Sequence, residues 1–289
     1  MVYVYLKNLR KSWITGMVPP LIVTGFVGVI AFGFPSMIDI ILDRISTLNQ
    51  PIMKAIIGDL GLEQLGFTWQ ATLFMYAGGT LNLVVLFVAI LVPARLLSAE
   101  VDKKTLDIML SYPIPRWRYL LEKYGVFLTY SLLIPLSIIG MMFGSTVVMS
   151  TIFPDGFSFT NPNTQVTDTQ LYEIDPNLVI NYAIGTFLVL FALGSISLLV
   201  STIFLESNRS LSVAGLVIGG QYFLDSIGGL LDPNGSIGIR FFSLFHYFKV
   251  DALLESGSLP MTDLVVVIGV GIAGLASALL VFQKREFAI

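Results

Sequence analysis

Apolar residues fall into six long runs separated by short polar segments: residues 17–34, 71–97, 124–153, 178–205, 211–231 and 264–282. A helix needs about 20 mostly apolar residues to cross a hydrocarbon core about 30 Å thick. Each run therefore predicts a transmembrane helix, and the longer runs predict tilt or protrusion into water. The segment before the first run is polar and no small-residue cleavage site follows it, so this run reads as a retained span. No soluble domain, long linker or clear repeat interrupts the series. The expected fold class is all-α, a polytopic membrane protein with residues 1–289 as a single transmembrane domain.

Composition agrees. Of 289 residues, 55% are apolar and 12% charged, where a soluble domain carries about a quarter charged residues. A net charge of -3 without a basic tail argues against a nucleic-acid partner. The chain has no Cys and one His, which excludes disulfides, thiolate sites and multi-His metal clusters. No metal site and no catalytic residue is expected.

The charges are sorted. With six spans, one side holds both termini and Lys7, Arg10, Lys11, Arg95, Lys103, Lys104, Arg116, Arg118, Lys123, Arg209, Lys284 and Arg285, twelve of the 16 Lys and Arg. The other side holds Arg44, Lys54, Arg240 and Lys249. Cytoplasmic loops carry the excess of Lys and Arg, so both termini are expected in the cytoplasm of a multi-pass protein.

The connections carry further patterns. Val2, Leu6, Leu9 and Trp13 repeat at heptad-like spacing beside Lys7, Asn8 and Lys11, which predicts an amphipathic helix on the inner membrane surface. Pro19 and Pro20 favour a break or a fresh helix start after it. In the first outer connection, residues 35–68, Ile40, Ile41, Ile45 and Leu48 form one short amphipathic pattern, and Ile52, Ala55 and Ile56 another before Gly58 and Gly61. The second, residues 154–176, reads as a turn-rich loop. In the third, Asp232-Pro233-Asn234-Gly235 marks a turn, and the aromatic run from Phe241 to Phe248 is too short to cross. It predicts a re-entrant or interfacial segment anchored by its rings, with His246 as a packed interfacial ring.

The longest inner connection is the most informative. Nine charged residues gather between Glu100 and Lys123. Ser98 is placed to cap a helix whose first turn holds Glu100 and Asp102. Val101, Thr105 and Ile108 form one stripe, and Leu106, Met109 and Leu110 a second. Pro113 and Pro115 stop the helix near Ser111. Apolar residues rimmed by charge on a short surface helix fit docking onto a partner.

Glu100, Thr105-Leu106, the Ile and Leu that follow, Pro113, Arg116 and Lys123 resemble the signature of type-2 ABC exporter permeases. The run Ala192-Leu193-Gly194-Ser195-Ile196-Ser197 resembles that family's small-residue-rich fourth span. Ser207-Asn208-Arg209-Ser210 is similar to the tight turn before its fifth, and Gln283-Lys284-Arg285 to its basic end. Lys104 stands where Gly is common, a departure compatible with a surface helix. The resemblance implies a coupling helix that sits in a cleft of a separate ATPase subunit, with Glu100, Asp102, Lys103, Lys104, Thr105, Leu106, Asp107, Met109, Leu110, Pro113 and Arg116 as coupling residues. It further implies two copies of that ATPase, ATP and magnesium bound there, a second permease subunit in a homo- or heterodimer, surrounding membrane lipid, and a prokaryotic plasma membrane.

No G-x-x-x-x-G-K-[ST] phosphate loop occurs in the sequence, so energy is expected from a partner and the chain itself is not an enzyme. No Lys/Asp ladder or paired carboxylates in the spans suit an ion relay; an ion-coupled carrier and a membrane scaffold are the alternatives. Asn82, Gln221, Tyr222 and Asp225 are the candidate path residues, although Asp225 also fits a place at the outer interface and Asn82 an interhelical hydrogen bond. Gly140/Gly144 and Gly215/Gly219 have the G-x-x-x-G spacing and are expected to pack within the chain. Glu206 and Arg209 can pair with each other or touch the ATPase. Apolar spans at a dimer seam favour hydrophobic or amphiphilic cargo.

Overall fold

A computed structural model describes residues 3–48, 69–105, 114–160, 167–231, 238–248 and 250–285. In order come α1 (Tyr3–Lys11), α2 (Trp13–Leu48), α3 (Trp69–Leu91), a 3-10 turn (Pro93–Arg95), α4 (Ser98–Asp102) and α5 (Arg116–Ile152). The strands β1 (Phe157–Thr160) and β2 (Thr167–Gln170) precede α6 (Pro176–Ile203) and α7 (Ser207–Leu231). Two 3-10 turns (Ile239–Phe242 and Phe245–Tyr247), α8 (Val250–Ser256) and α9 (Met261–Lys284) complete the described chain. The fold is all-α and polytopic, as expected. Among the described residues, α2, α5, α6, α7 and α9 contain segments long and apolar enough to cross a membrane. The second predicted span corresponds to α3, whose apolar part continues to Arg95.

α6 is the most buried of these helices and touches α3, α5, α7 and α9. Its small residues explain the position, since close approach of backbones drives helix association in lipid. A Cβ at Gly194 would stand 2.4 Å from a ring carbon of Phe127. On the facing helix, a Cβ at Gly271 would stand 2.4 Å from Phe191. Asp175 caps α6, its carboxylate accepting from the Asn177 N–H at 2.9 Å, with Pro176 at the first helical position.

Several expectations change. The break in the first helix lies at Ser12, not at Pro19 and Pro20, and α2 runs through both prolines. Spans tolerate such lost donors better than helices in water do, and the carbonyls freed here are those of Thr15 and Gly16, one turn before the prolines. The pattern Ile40 to Leu48 continues α2 instead of forming a helix of its own, while Ile52 to Gly61 lies outside the described residues. The second outer connection is an antiparallel hairpin, pairing Phe157 with Gln170 and Thr160 with Thr167. Among the described residues nothing packs on Gly140, Gly144, Gly215 or Gly219: a Cβ added at any of the four would have no neighbour within 4 Å. They lie on faces of α5 and α7 that no other described element covers closely.

Alternation brings the ends of the helices into two groups. One, the basic end, gathers α1, the 3-10 turn, α4, the start of α5, the end of α6, the start of α7 and the end of α9. Arg116 Nη1 donates to the Arg285 carbonyl at 2.6 Å, and Arg285 Nη1 donates to the Thr202 and Ile203 carbonyls at 2.7 and 2.6 Å. Arg285 thereby satisfies two carbonyls that the end of α6 leaves without helical partners. The opposite end holds the hairpin, the aromatic turns and α8. Phe248, Leu253 and Leu259 are buried there, and Phe248 covers Gly185.

Candidate functional site: the brace at the basic end

α4 is short, but its Ser98, Glu100 and Asp102 side chains are all engaged. Leu97 occupies its N-cap position without a side-chain bond. Ser98, the expected cap, lies inside the first turn, and its hydroxyl bonds back to the Ala94 carbonyl at 2.8 Å, the habit of serine within helices. The cap is supplied from α6 instead: Ser201 Oγ accepts from the Leu97 and Ser98 N–H groups at 3.3 and 3.4 Å. Ser210 of α7 donates to the same Ala94 carbonyl at 2.7 Å, and Ser197 of α6 donates to the Ile90 carbonyl at 3.4 Å. Asp102 Oδ2 accepts the Ser207 N–H at 3.1 Å, placing a carboxylate at the N-terminus of α7, where the dipole favours it.

The expected helix from Ser98 to Ser111 ends early, at Asp102. Lys103 is its C-cap, and Lys104 has φ of 53°, the one non-Gly residue with positive φ in the described chain. The Lys104 N–H reaches the Val101 carbonyl at 2.9 Å and the Thr105 N–H reaches the Glu100 carbonyl at 2.9 Å. That pair of bonds is a Schellman motif, whose left-handed position prefers glycine. The lysine at this position is thus strained, and it lies beyond the helix and not within it. Lys104→Gly is expected to raise stability by about 1 kcal/mol, the left-handed penalty less the extra chain entropy of glycine; thermal unfolding of the purified protein measures it.

Glu100 is the hub. Its Oε2 lies 2.5 Å from Lys123 Nζ and also accepts the Tyr119 hydroxyl. Lys123 is 5% exposed. It donates further to the Leu96 carbonyl at 2.7 Å and stands 5.2 Å from the centre of the Tyr119 ring. A lysine is rarely buried unless paired; here carboxylate, carbonyl and ring together hold the charge. Tyr119 and Lys123, one turn apart on α5, fasten α4 to the start of that helix across the segment between them.

Of the predicted coupling residues, the structure brings Glu100 and Asp102 into this brace and leaves Lys103 exposed. Thr105 donates its hydroxyl to the Glu100 carbonyl at 3.3 Å, and Arg116 bonds the Arg285 carbonyl. Leu106, Asp107, Met109, Leu110 and Pro113 lie outside the described residues. Tyr119, Ser201 and Arg285 were not among the predicted site residues. The i, i+4 spacing of Tyr119 and Lys123 on one face of α5 is the signal that could have found the first. Glu206 and Arg209 pair with each other at 2.8 Å.

The path candidates lie elsewhere. Asn82 is half-buried on α3. Near the opposite end, Asp225 accepts from Arg240 Nε at 3.2 Å, with His246 Nδ1 at 3.8 Å. Gln221 Oε1 accepts the Leu244 N–H at 3.2 Å, and the Tyr222 ring meets Phe245 edge-on. These three α7 residues therefore hold the aromatic turns against the helix, and His246 sits between Phe241 and Tyr247.

No curated protein matches the chain. A family model described as ABC-2 family transporter protein matches residues 10–234, a stretch that begins in α1, includes the brace and ends beyond α7. With most of its length inside that match, the chain belongs to the ABC-2 transporter family.

Proposed function

We propose that this chain is the permease subunit of an ATP-driven exporter, which takes its energy through residues 98–116 from a separate ATPase subunit. The observation that carries this reading is the Glu100–Lys123–Tyr119 brace. A push on the segment between α4 and α5 reaches Glu100, and from it the buried Lys123 on a 37-residue helix. Ser201 and Asp102 pass the same load to α6 and α7. Stiff attachment is what a coupling element requires, because a displacement at the surface must move spans and not merely bend a loop.

In this reading two ATPase subunits bind ATP and magnesium, and two permease subunits, alike or different, form the path. The basic end faces the cytoplasm of a prokaryotic cell, and hydrophobic or amphiphilic cargo suits the apolar spans. Leu106→Asp with Met109→Asp is expected to lower co-purification with the proposed ATPase subunit at least tenfold, since charge replaces the apolar residues proposed to enter its cleft. Undiminished binding would overturn the coupling role. Gradient-driven uptake in vesicles without ATP would favour an ion-coupled carrier.

A further inference from the structure

The outward face of α1 carries a feature that the coupling reading does not use. The roll of this helix is fixed by three contacts with α5. The Tyr5 N–H reaches Glu122 Oε2 at 3.3 Å, the Tyr5 hydroxyl meets Thr129 Oγ1 at 2.7 Å, and the Tyr130 hydroxyl donates to the Leu9 carbonyl at 2.5 Å. Tyr5, Asn8 and Leu9 consequently face the protein and are half-buried. What remains outward is sorted. Leu6 of α1 and Trp13, the first residue of α2, are 55% and 57% exposed. Beside them Lys7, Arg10 and Lys11 are all exposed. Among the described residues no carboxylate forms an ion pair with any of these three cations; the nearby Glu122 is held by Arg118 at 3.1 Å.

We propose that this face binds the headgroups of anionic phospholipids at the basic end of the molecule, with Lys7, Arg10 and Lys11 on the phosphates and Leu6 and Trp13 in the acyl boundary. Charge complementarity names the occupant. Three cations together on a fixed face need a negative surface, and an exposed tryptophan on the adjoining side sets the depth at which interfacial rings reside. Each lysine or arginine near an anionic surface contributes on the order of 1 kcal/mol, about a fivefold preference. The inference rests on the placement of the basic end at the inner leaflet, but not on ATPase coupling.

The test uses the full chain reconstituted in vesicles of phosphatidylcholine and phosphatidylglycerol, with one lipid brominated at a time. Trp13 quenching is taken as the difference between the wild type and Trp13→Phe, because Trp69 and Trp117 also emit. Brominated phosphatidylglycerol is expected to quench at about fivefold lower mole fraction than brominated phosphatidylcholine, with the preference fading toward 1 M salt as the Debye length shortens. Lys7→Gln, Arg10→Gln and Lys11→Gln together should equalise the two lipids while leaving Trp13 quenched by both; Arg10→Lys should keep the preference. Equal quenching in the wild type would overturn the proposal, as would absence of quenching by either lipid, which would mean that protein covers the face. No ATPase enters the measurement, so its result stands apart from the fate of the permease reading.

Discussion

Glu100→Gln is expected to destabilise the protein by about 3 kcal/mol, the lower end of the range for breaking a buried ion pair. The direction follows from what is left behind. Glutamine keeps a carbonyl for the Tyr119 hydroxyl, so the geometry survives and the charge does not. Lys123, 5% exposed, is then a buried ammonium with the Leu96 carbonyl as its strongest remaining acceptor. Glu100 is 19% exposed in its side chain, and water reaching that side keeps the loss from the upper end of the range. Lys123→Met alone should cost less, because the carboxylate left behind is the more accessible member of the pair. The double variant should recover most of the loss, since a well-packed apolar pair often equals a buried ionic one. Denaturant unfolding of the four proteins in detergent gives the coupling energy directly. A change below about 1 kcal/mol in Glu100→Gln would mean that the charge is not held as the geometry describes.

The same residues show what sequence reading can reach. The runs of apolar residues and the sorting of Lys and Arg made the spans and the basic end legible, because membrane insertion imposes a length and a charge rule that local composition alone obeys. Glu100 and Lys123 were visible as parts of a signature, but not as partners. Their contact closes across a turn and a connecting segment, and nothing in the 22 residues of intervening sequence encodes the distance. Ser98 was misread because a serine hydroxyl serves equally as an N-cap or as a donor to the preceding turn; only Ser201, more than 100 residues away, decides between them. Lys104 hid its left-handed backbone, since a non-glycine residue there leaves no compositional trace. The hairpin was missed for a different reason. Phe157, Phe159 and the alternating Thr167 and Thr169 do show period two, but in strands of four residues that signal is easily lost among turn formers.

That hairpin leads to the second large expected effect. Trp69→Ala should cost about 3 to 5 kcal/mol and should melt β1 and β2 together. Trp69 is 1% exposed and lies where four elements meet. Its ring centroid is 5.4 Å from Phe34 of α2 and 4.9 Å from Tyr172, edge-on to both. Its Nε1 donates to Thr146 Oγ1 of α5 at 2.9 Å. Phe157, the first residue of β1, completes the cluster at 5.0 Å from Phe34 and 5.3 Å from Tyr172. Two strands of four residues are marginal by themselves, so their order depends on Phe157 and Tyr172 being packed together at the open end of the pair. Removing the indole takes one neighbour from Tyr172 and one from Phe34, and leaves a void that the fixed ends of α2 and α5 cannot close. Trp69→Phe keeps a ring in place and should cost far less, about 1 kcal/mol for the missing hydrogen bond plus some packing, because the Thr146 hydroxyl still donates to the Met142 carbonyl at 2.8 Å. Hydrogen exchange separates the two variants: the ladder amides of residues 157–160 and 167–170 should lose protection in the alanine variant and retain it in the phenylalanine one. Protection retained in both would mean that the strands hold themselves, and that the aromatic cluster rests on the hairpin instead of supporting it.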